Sequence, residues 1–199
     1  MDELHHSDER RALQDRFDTW RLADRLAEKV FHQQFTEGDR FFVHNAMFFF
    51  LATTDVHGQP QCSYKGGPRG FVHVTGPSEL VFPFYEGNGL YMSAGNVTET
   101  AKVGMLFIDF EKQARMRVNG GATLIDDHPV MRDTVAAQLI VRVQVSNIHP
   151  NCPRNVHKMA LVEPSGYTPK LASDDVGKAP WTKRFSDVLP EAMKPDHLK

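Results

Sequence analysis

Between residues 47 and 150 the chain consists of short apolar runs separated by turn-forming residues, a pattern that few folds accommodate. The clearest run, LIVRVQVSNIHP, alternates Val141, Val143 and Val145 with Arg142 and Gln144, the period of a strand with one buried face. Closely spaced short strands predict a mainly β fold in which an antiparallel sheet curls into a barrel. The predicted strands lie in MFFFLAT, QPQCSYK, GFVHV, LVFPF, VGMLFIDF, RMRVNGGATLI and LIVRVQVSNIHP.

Helical spacing precedes the first strand. From Glu9 to Val30 apolar residues recur at Leu13, Phe17, Trp20 and Ala27, which predicts an amphipathic helix. The apolar stripe of such a helix usually packs on its own domain, so we expect it to contact the barrel.

A second helix is predicted from Thr36 to about Ala46, because Thr-Glu-Gly-Asp resembles a capping box with Asp39 in place of the usual Glu. Short helical segments are also predicted from about Asn96 and within DHPVMRDTVAAQ. These peripheral helices make the fold class α+β with β dominant.

The chain therefore divides into three predicted parts. Residues 1–35 form a helical N-terminal extension, and residues 36–160 form the barrel. Residues 161–199 are rich in Pro, Lys and Asp, and we expect an extended tail that packs on the barrel or on a partner subunit.

Composition excludes several classes of function. The formal net charge of -2 argues against a general nucleic-acid binder. No apolar run is long enough to span a bilayer, and the acidic start MDELHHSDERR is not a secretory signal. With only Cys62 and Cys152, a disulfide framework is excluded and a cytoplasmic protein with free thiols is expected.

Two loops rich in Gly and Asn carry the strongest functional signal, SYKGGPRG after one predicted strand and YEGNGLYMSAGN after another. Backbone N–H groups at glycines and at helix N-termini bind anions, and Lys65 adds a positive charge. Either loop alone is more often a simple turn. Together, and followed by the strand RMRVNG, they predict a phosphate-binding site.

The runs FLATTDVHGQPQCSYKGGPRGFV, LVFPFYEGN, VGMLFIDF and RVNG resemble the FMN-binding split-barrel proteins related to pyridoxamine 5'-phosphate oxidase. The resemblance spans roughly residues 36 to 160 and extends weakly to PWTKRFSDVLP in the tail. It implies a six-stranded split barrel that forms a homodimer, with FMN in grooves between the subunits.

The resemblance also implies which residues hold the cofactor. Ser63, Tyr64, Lys65 and Gly66 would bind the flavin phosphate, together with Tyr85, Asn88 and Asn96 in the second loop. Arg117 and Asn119 would contact the edge of the flavin ring, and Trp181 would cover or stack near the ring. No catalytic side chain is assigned, because the flavin itself performs the redox chemistry in such proteins.

This sequence departs from the true oxidases at the phosphate site. They carry an arginine three residues after the hairpin proline and a lysine further on, where this chain has Ser63 and Pro68. The Ser-Arg-Lys run of their second phosphate segment is replaced by YMSAG. We therefore expect fewer charges on the phosphate and do not expect vitamin B6 phosphate as the substrate.

A metal site is not predicted. His149, Cys152 and His157 form H-x-x-C-x-x-x-x-H but lack a fourth ligand for the common tetrahedral pattern. Cys62 lies in a predicted strand and is interpreted as a small buried residue.

Three functions fit these observations. The first is an FMN-dependent oxidoreductase acting on a small molecule. The second is a flavin- or tetrapyrrole-binding module without turnover, and the third is a reductase that uses a deazaflavin instead of FMN. The colour of the purified protein and its turnover of a nicotinamide donor distinguish them.

Overall fold

One antiparallel sheet forms most of the protein, for which a computed structural model describes residues 7–132, 134–169 and 180–194. Its strands are β1 (Phe48–Thr54), β2 (Pro60–Gly66), β3 (His73–Val74), β4 (Glu79–Tyr85), β5 (Lys102–Asp109), β6 (Ala114–Ile125) and β7 (Ala137–Pro150). They lie in the order β2-β1-β5-β6-β7-β4-β3. All neighbouring strands pair antiparallel.

Helices lie around this sheet. They are α1 (Asp8–Arg16), α2 (Trp20–Val30), α3 (Glu37–Asn45) and α4 (Met92–Thr100). Short 3-10 turns occupy Pro129–Met131, Pro180–Phe185 and Glu191–Met193. Apart from these turns, the described residues after Pro150 contain no helix or strand.

The sheet curls around its core without closing. Phe49 on β1 packs edge-on against Phe82 on β4 with ring centroids 5.0 Å apart, although these strands are not neighbours in the sheet. Both rings are fully buried, which stabilises the fold by about 1.5–3 kcal/mol for each side chain. The ends of the sheet at β2 and β3 remain unpaired, so the barrel is split along that side.

This architecture confirms the prediction of a mainly antiparallel split barrel. Six of the strands are at least seven residues long, and β3 is an additional strand of two residues. Of the predicted strand GFVHV, only His73 and Val74 pair in the sheet.

The predicted capping box at the start of α3 is confirmed. The Thr36 hydroxyl accepts from the Asp39 N–H at 3.2 Å, and the Asp39 carboxylate accepts from the Thr36 N–H at 2.8 Å. This exchange satisfies donors that the first turn of a helix otherwise leaves without partners.

The prediction of one helix from Glu9 to Val30 is wrong. The chain breaks at Asp18, whose backbone adopts a left-handed conformation with φ 49°, and α1 and α2 form a hairpin joined by the Arg11–Asp24 ion pair. No residue of either helix is buried, and Phe17 is 65% exposed. The expected packing of the apolar stripe on the barrel is therefore also wrong.

Two shorter helical predictions need correction. The helix placed at about Asn96 begins at Met92, four residues earlier. DHPVMRDTVAAQ forms only the 3-10 turn Pro129–Met131 among its described residues, because Ala136 takes a left-handed backbone with φ 58° and the chain then enters β7. Across the ranges that the structure describes, no helix has the length and apolar character needed to span a bilayer.

Candidate functional site

A groove with a volume of about 1040 Å³ opens where the barrel is split. Its walls come from β2, β4, α3, the first turn of α4 and the chain after β7. Pockets of about 300–1,000 Å³ hold drug-sized ligands, so the groove is large enough for a nucleotide-sized molecule.

Ser63, Lys65, Ser93 and the first turn of α4 all line this groove, and we call this set the anion corner. The Ser63 and Ser93 hydroxyl oxygens lie 2.9 Å apart, which joins β2 to α4. No side chain caps the start of α4, where Tyr91 has a left-handed φ of 49°. The N–H groups of that first turn are therefore available to an anion, which the helix dipole also favours.

Lys65 supplies the positive charge of the anion corner. Its ammonium lies 4.2 Å from the centroid of the Phe84 ring on β4, so it contacts the opposite side of the split. Burial lowers the pKa of the Lys65 amine below its usual value, because the charged form loses water. An anion bound beside this amine would offset that desolvation cost.

The glycines after Lys65 let the backbone approach the aromatic residues of the groove. A Cβ on Gly66 would lie 2.8 Å from the Tyr64 ring, and one on Gly67 would lie 2.4 Å from the Phe71 ring. Any larger residue would displace these rings, so SYKGGPRG is shaped by packing as well as by turn geometry.

Aromatic side chains line the groove away from the anion corner. Tyr64, Phe48 and Phe110 stack in a row across β2, β1 and the end of β5, with centroid separations of 5.3 and 5.9 Å. Burial raises the pKa of Tyr85 to about 12, because its phenolate would be poorly solvated in this wall. Flat apolar surfaces of this kind suit a planar ring system.

The chain after β7 completes the groove. Residues 159–161, 163–165 and 167–169 line it, and Trp181 contributes from the following 3-10 turn. A hydrogen bond of 3.2 Å from the Met159 N–H to the Phe110 carbonyl holds the start of this segment beside the end of β5.

Most residues predicted for the cofactor site meet in this groove. Those that line it are Ser63, Tyr64, Lys65, Gly66, Tyr85, Asn88 and Trp181. Asn88 forms a local turn, in which its side-chain oxygen accepts from the Leu90 N–H at 3.1 Å.

The structure does not bring the other predicted residues to the same groove. Asn96 lies on the buried face of α4 and donates to the Thr53 hydroxyl at 3.0 Å. Arg117 and Asn119 pair with Leu106 and Gly104 on β5, and they belong to the face of the sheet that points away from the core.

Sequence reasoning missed Ser93, Phe84 and the wall formed by residues 159–169. Ser93 could have been found, because a serine in the first turn of a helix after a Gly/Asn-rich loop is a common phosphate ligand. In the tail, only Trp181 was predicted at the groove; residues 159–169 were not, because their contact depends on where β7 ends.

The motif formed by His149, Cys152 and His157 does not gather into a metal site. His149 stacks on Phe31 at 4.2 Å, and its Nδ1 lies 2.7 Å from the Asn147 side-chain oxygen. Cys152 is exposed, and so is Cys62, which corrects the expectation that Cys62 is buried. Within the described ranges, no group of three His, Cys, Asp or Glu side chains could hold a metal ion.

Comparison with known families gives one clear match. The family model described as pyridoxamine 5'-phosphate oxidase matches residues 35–159, which include every strand and the anion corner. No curated protein matches the chain.

Several solved structures are similar to this one at low identity. HupZ of Group A Streptococcus is 15% identical, covers 63% of this chain and 99% of its own, and gives a TM-score of 0.49. A candidate pyridoxamine 5'-phosphate oxidase of Lactobacillus delbrueckii is 23% identical over 59% of this chain and 94% of its own, with a TM-score of 0.48. HutZ, the heme storage protein of Vibrio cholerae, is 15% identical over 60% and 92%, with a TM-score of 0.39. Identities this low do not transfer a ligand or an activity.

Proposed function

Because the chain belongs to the pyridoxamine 5'-phosphate oxidase family, we propose that it is an FMN-binding flavoprotein that oxidises or reduces a small molecule. The observation that carries this proposal is the anion corner, where Ser63 bonds Ser93 in the first turn of α4 and Lys65 lies two residues further along the same face of β2. Bound FMN supplies the hydride or electron transfer, and the protein positions it and excludes water.

The anion corner fits the phosphate of FMN. Two hydroxyl groups, one ammonium and the N–H groups of α4 are the donors that a phosphate dianion requires. Hydrogen bonds to charged groups contribute about 1.5–3 kcal/mol each, so a single lysine can carry much of the affinity. This explains how the chain would bind phosphate without the additional basic residues of the true oxidases.

The aromatic part of the groove fits the flavin ring. Tyr64 and Trp181 would lie against it, and the Tyr85 hydroxyl would remain protonated at any physiological pH. These side chains would shield the ring from water and leave the mouth of the groove for the substrate.

We further propose that the working unit is a homodimer. A row of side chains crosses the outer face of the sheet, formed by Tyr64, Phe50, Leu106 and Arg117. Phe50 and Leu106 are only half-buried in one subunit, so a second copy would remove apolar surface from water. In such a dimer, Arg117 and Asn119 would reach the groove of the partner subunit rather than their own.

The direct test is the absorption spectrum of the purified protein, followed by titration with FMN. Oxidised FMN gives a yellow protein, whereas a tetrapyrrole or a deazaflavin gives a different spectrum and mass. Turnover of a nicotinamide donor would then separate an enzyme from a carrier.

The site assignment is tested with Lys65→Ala. We expect FMN binding to weaken by about tenfold to a hundredfold, because losing a charge-assisted bond costs about 1.5–3 kcal/mol and about 1.4 kcal/mol is tenfold. Lys112→Ala is the matched control, since Lys112 also lines the groove but is 70% exposed and paired with Asp109. Equal affinities of parent and Lys65→Ala would remove Lys65 from the phosphate site.

A further inference from the structure

A second cavity lies on the other side of α3 from the groove, with a volume of about 680 Å³. Three histidines from separate elements line it: His44 from α3, His73 from β3 and His128 from the segment before the turn Pro129–Met131. None of them belongs to the anion corner or to the motif around Cys152.

The other charged groups around this histidine cavity are few and mostly engaged. Arg40 of α3 donates to the Val74 and Gly76 carbonyls at 3.3 and 2.9 Å. Glu79 of β4 accepts from the Thr75 hydroxyl at 2.7 Å. Asp127, next to His128, pairs with Arg132 at 2.9 Å. Protonating the histidines would therefore add positive charges to a cavity that already holds Arg40, against one lining carboxylate.

Two observations favour the neutral forms of His128 and His73. The ring Nδ1 of His128 accepts from the Val130 N–H at 3.3 Å, which a doubly protonated imidazolium cannot do. Burial and the nearby His44 and His128 lower the pKa of His73. A lowered folded-state pKa means that the stabilisation is complete above the unfolded value of about 6.5 and is lost as the pH falls towards the folded value.

Helix α3 connects this cavity to the groove. Phe41 lines both of them. The C-terminal end of α3 is attached through the His44 carbonyl, which accepts from the Gly70 N–H at 2.8 Å. A Cβ on Gly70 would lie 3.0 Å from the His44 ring, so this ring is already packed closely against the loop that precedes β3.

We propose that the cavity lined by His44, His73 and His128 is a pH-sensitive switch, in which protonation of His73 on β3 loosens α3 and opens the groove. The loss of water around the charged His73 ring and its repulsion by the neighbouring His44 and His128 supply the force. The effect on the groove rests on the function proposed above, whereas the loosening of α3 does not.

The test is amide hydrogen exchange of residues 37–46 in the ligand-free protein. Between about pH 7.5 and about pH 5.5, the range in which histidines titrate, we expect the protection factors of α3 to fall by about tenfold or more. Protection of β6 should not fall, which shows that the barrel stays folded. The double variant His73→Gln/His128→Gln should keep the protection of α3 nearly constant.

His57→Gln is the matched control, because His57 is exposed in the β1–β2 turn away from the cavity. It should behave like the parent. Constant protection of α3 in the parent, or an equal fall in the parent and the double variant, would overturn the switch.

The link to the groove is measured as the FMN dissociation rate at the same two pH values. We expect faster release at the lower pH in the parent and a smaller change in the double variant. A phosphate monoester has a second pKa of about 6, and its effect on release is expected to be the same in both proteins and to cancel in the comparison. If α3 loosens and release is unchanged, the coupling is wrong. If no FMN binds, the proposed function fails and the exchange experiment still decides the switch.

Discussion

At the scale of single residues, the groove depends on a few side chains that burial places in unusual surroundings. Lys65 contacts the Phe84 ring, and burial lowers the pKa of its amine. Burial raises the pKa of Tyr85 instead. In both residues burial favours the neutral form, which is the deprotonated form of an amine but the protonated form of a phenol. Both changes follow from one cause, the closure of β2 and β4 around the end of the groove.

The pKa of Tyr85 gives a direct spectroscopic prediction. Its usual value of 10.0 rises to about 12 in the folded protein. A raised pKa contributes stability that is present below the unfolded value and is lost as the pH rises through the folded value. Burial also raises the pKa of Tyr64, so in a titration followed by phenolate absorbance Tyr85→Phe should remove the step near 12 and leave the Tyr64 step in place. A parent whose tyrosines all titrate near 10 would contradict the buried position of this ring.

The two tryptophans provide a second test at this scale, because one lies on α2 and the other beside the groove. Trp181 lines the groove, whereas Trp20 is 38% exposed on a helix with no buried residue. If the flavin ring binds where we propose, FMN should quench the fluorescence of Trp20→Phe strongly and that of Trp181→Phe weakly. The reverse pattern would place the ring away from the tail.

At the scale of elements, α3 is a short helix that borders both the groove and the histidine cavity. It is nine residues long, buries Val43 and separates the groove from the histidine cavity. So short a helix has little intrinsic stability. Its capping box and its contacts with the barrel must therefore hold it in place.

Removing the cap should loosen this helix measurably. Thr36→Ala is expected to lower the free energy of unfolding by about 1 kcal/mol, since it deletes the hydroxyl that accepts from the Asp39 N–H. Thr36→Ser retains that acceptor and is the control. Urea denaturation checks both, and equal losses in the two variants would assign the effect to packing of the Thr36 methyl group.

At the scale of the whole molecule, the split barrel presents an open groove and a partly apolar outer face. The groove opens at the split, and the outer face carries half-buried Phe50 and Leu106 beside exposed Arg117. The helical hairpin α1–α2 adds exposed apolar residues, among them Leu13 and Phe17. Association with a second copy, as proposed above, would cover the apolar side chains of the outer face.

We therefore expect sedimentation velocity to show a dimer. Leu106→Lys should shift it towards monomer, because it places a charge in the middle of the proposed interface. Thr123→Lys adds the same charge at an exposed position of β6 and should leave the dimer intact. A parent that sediments as a monomer and still binds FMN tightly would contradict the shared site.

Local pattern alone determined much of this protein. The alternation around Val141 predicts β7 and the Thr36–Asp39 pair predicts the start of α3, and both are confirmed. The Gly/Asn-rich loops predict the anion site that we propose. Each of these signals is carried by residues that are close together in the chain, where periodicity, capping and turn preferences act.

Tertiary structure alone decided which of these signals meet. Ser63 and Ser93 are thirty residues apart and touch only because the sheet curls until β2 faces α4. The same curl directs Arg117 away from the groove and covers Asn96. Such contacts depend on how the whole sheet closes around its core, and no local window of sequence contains that information.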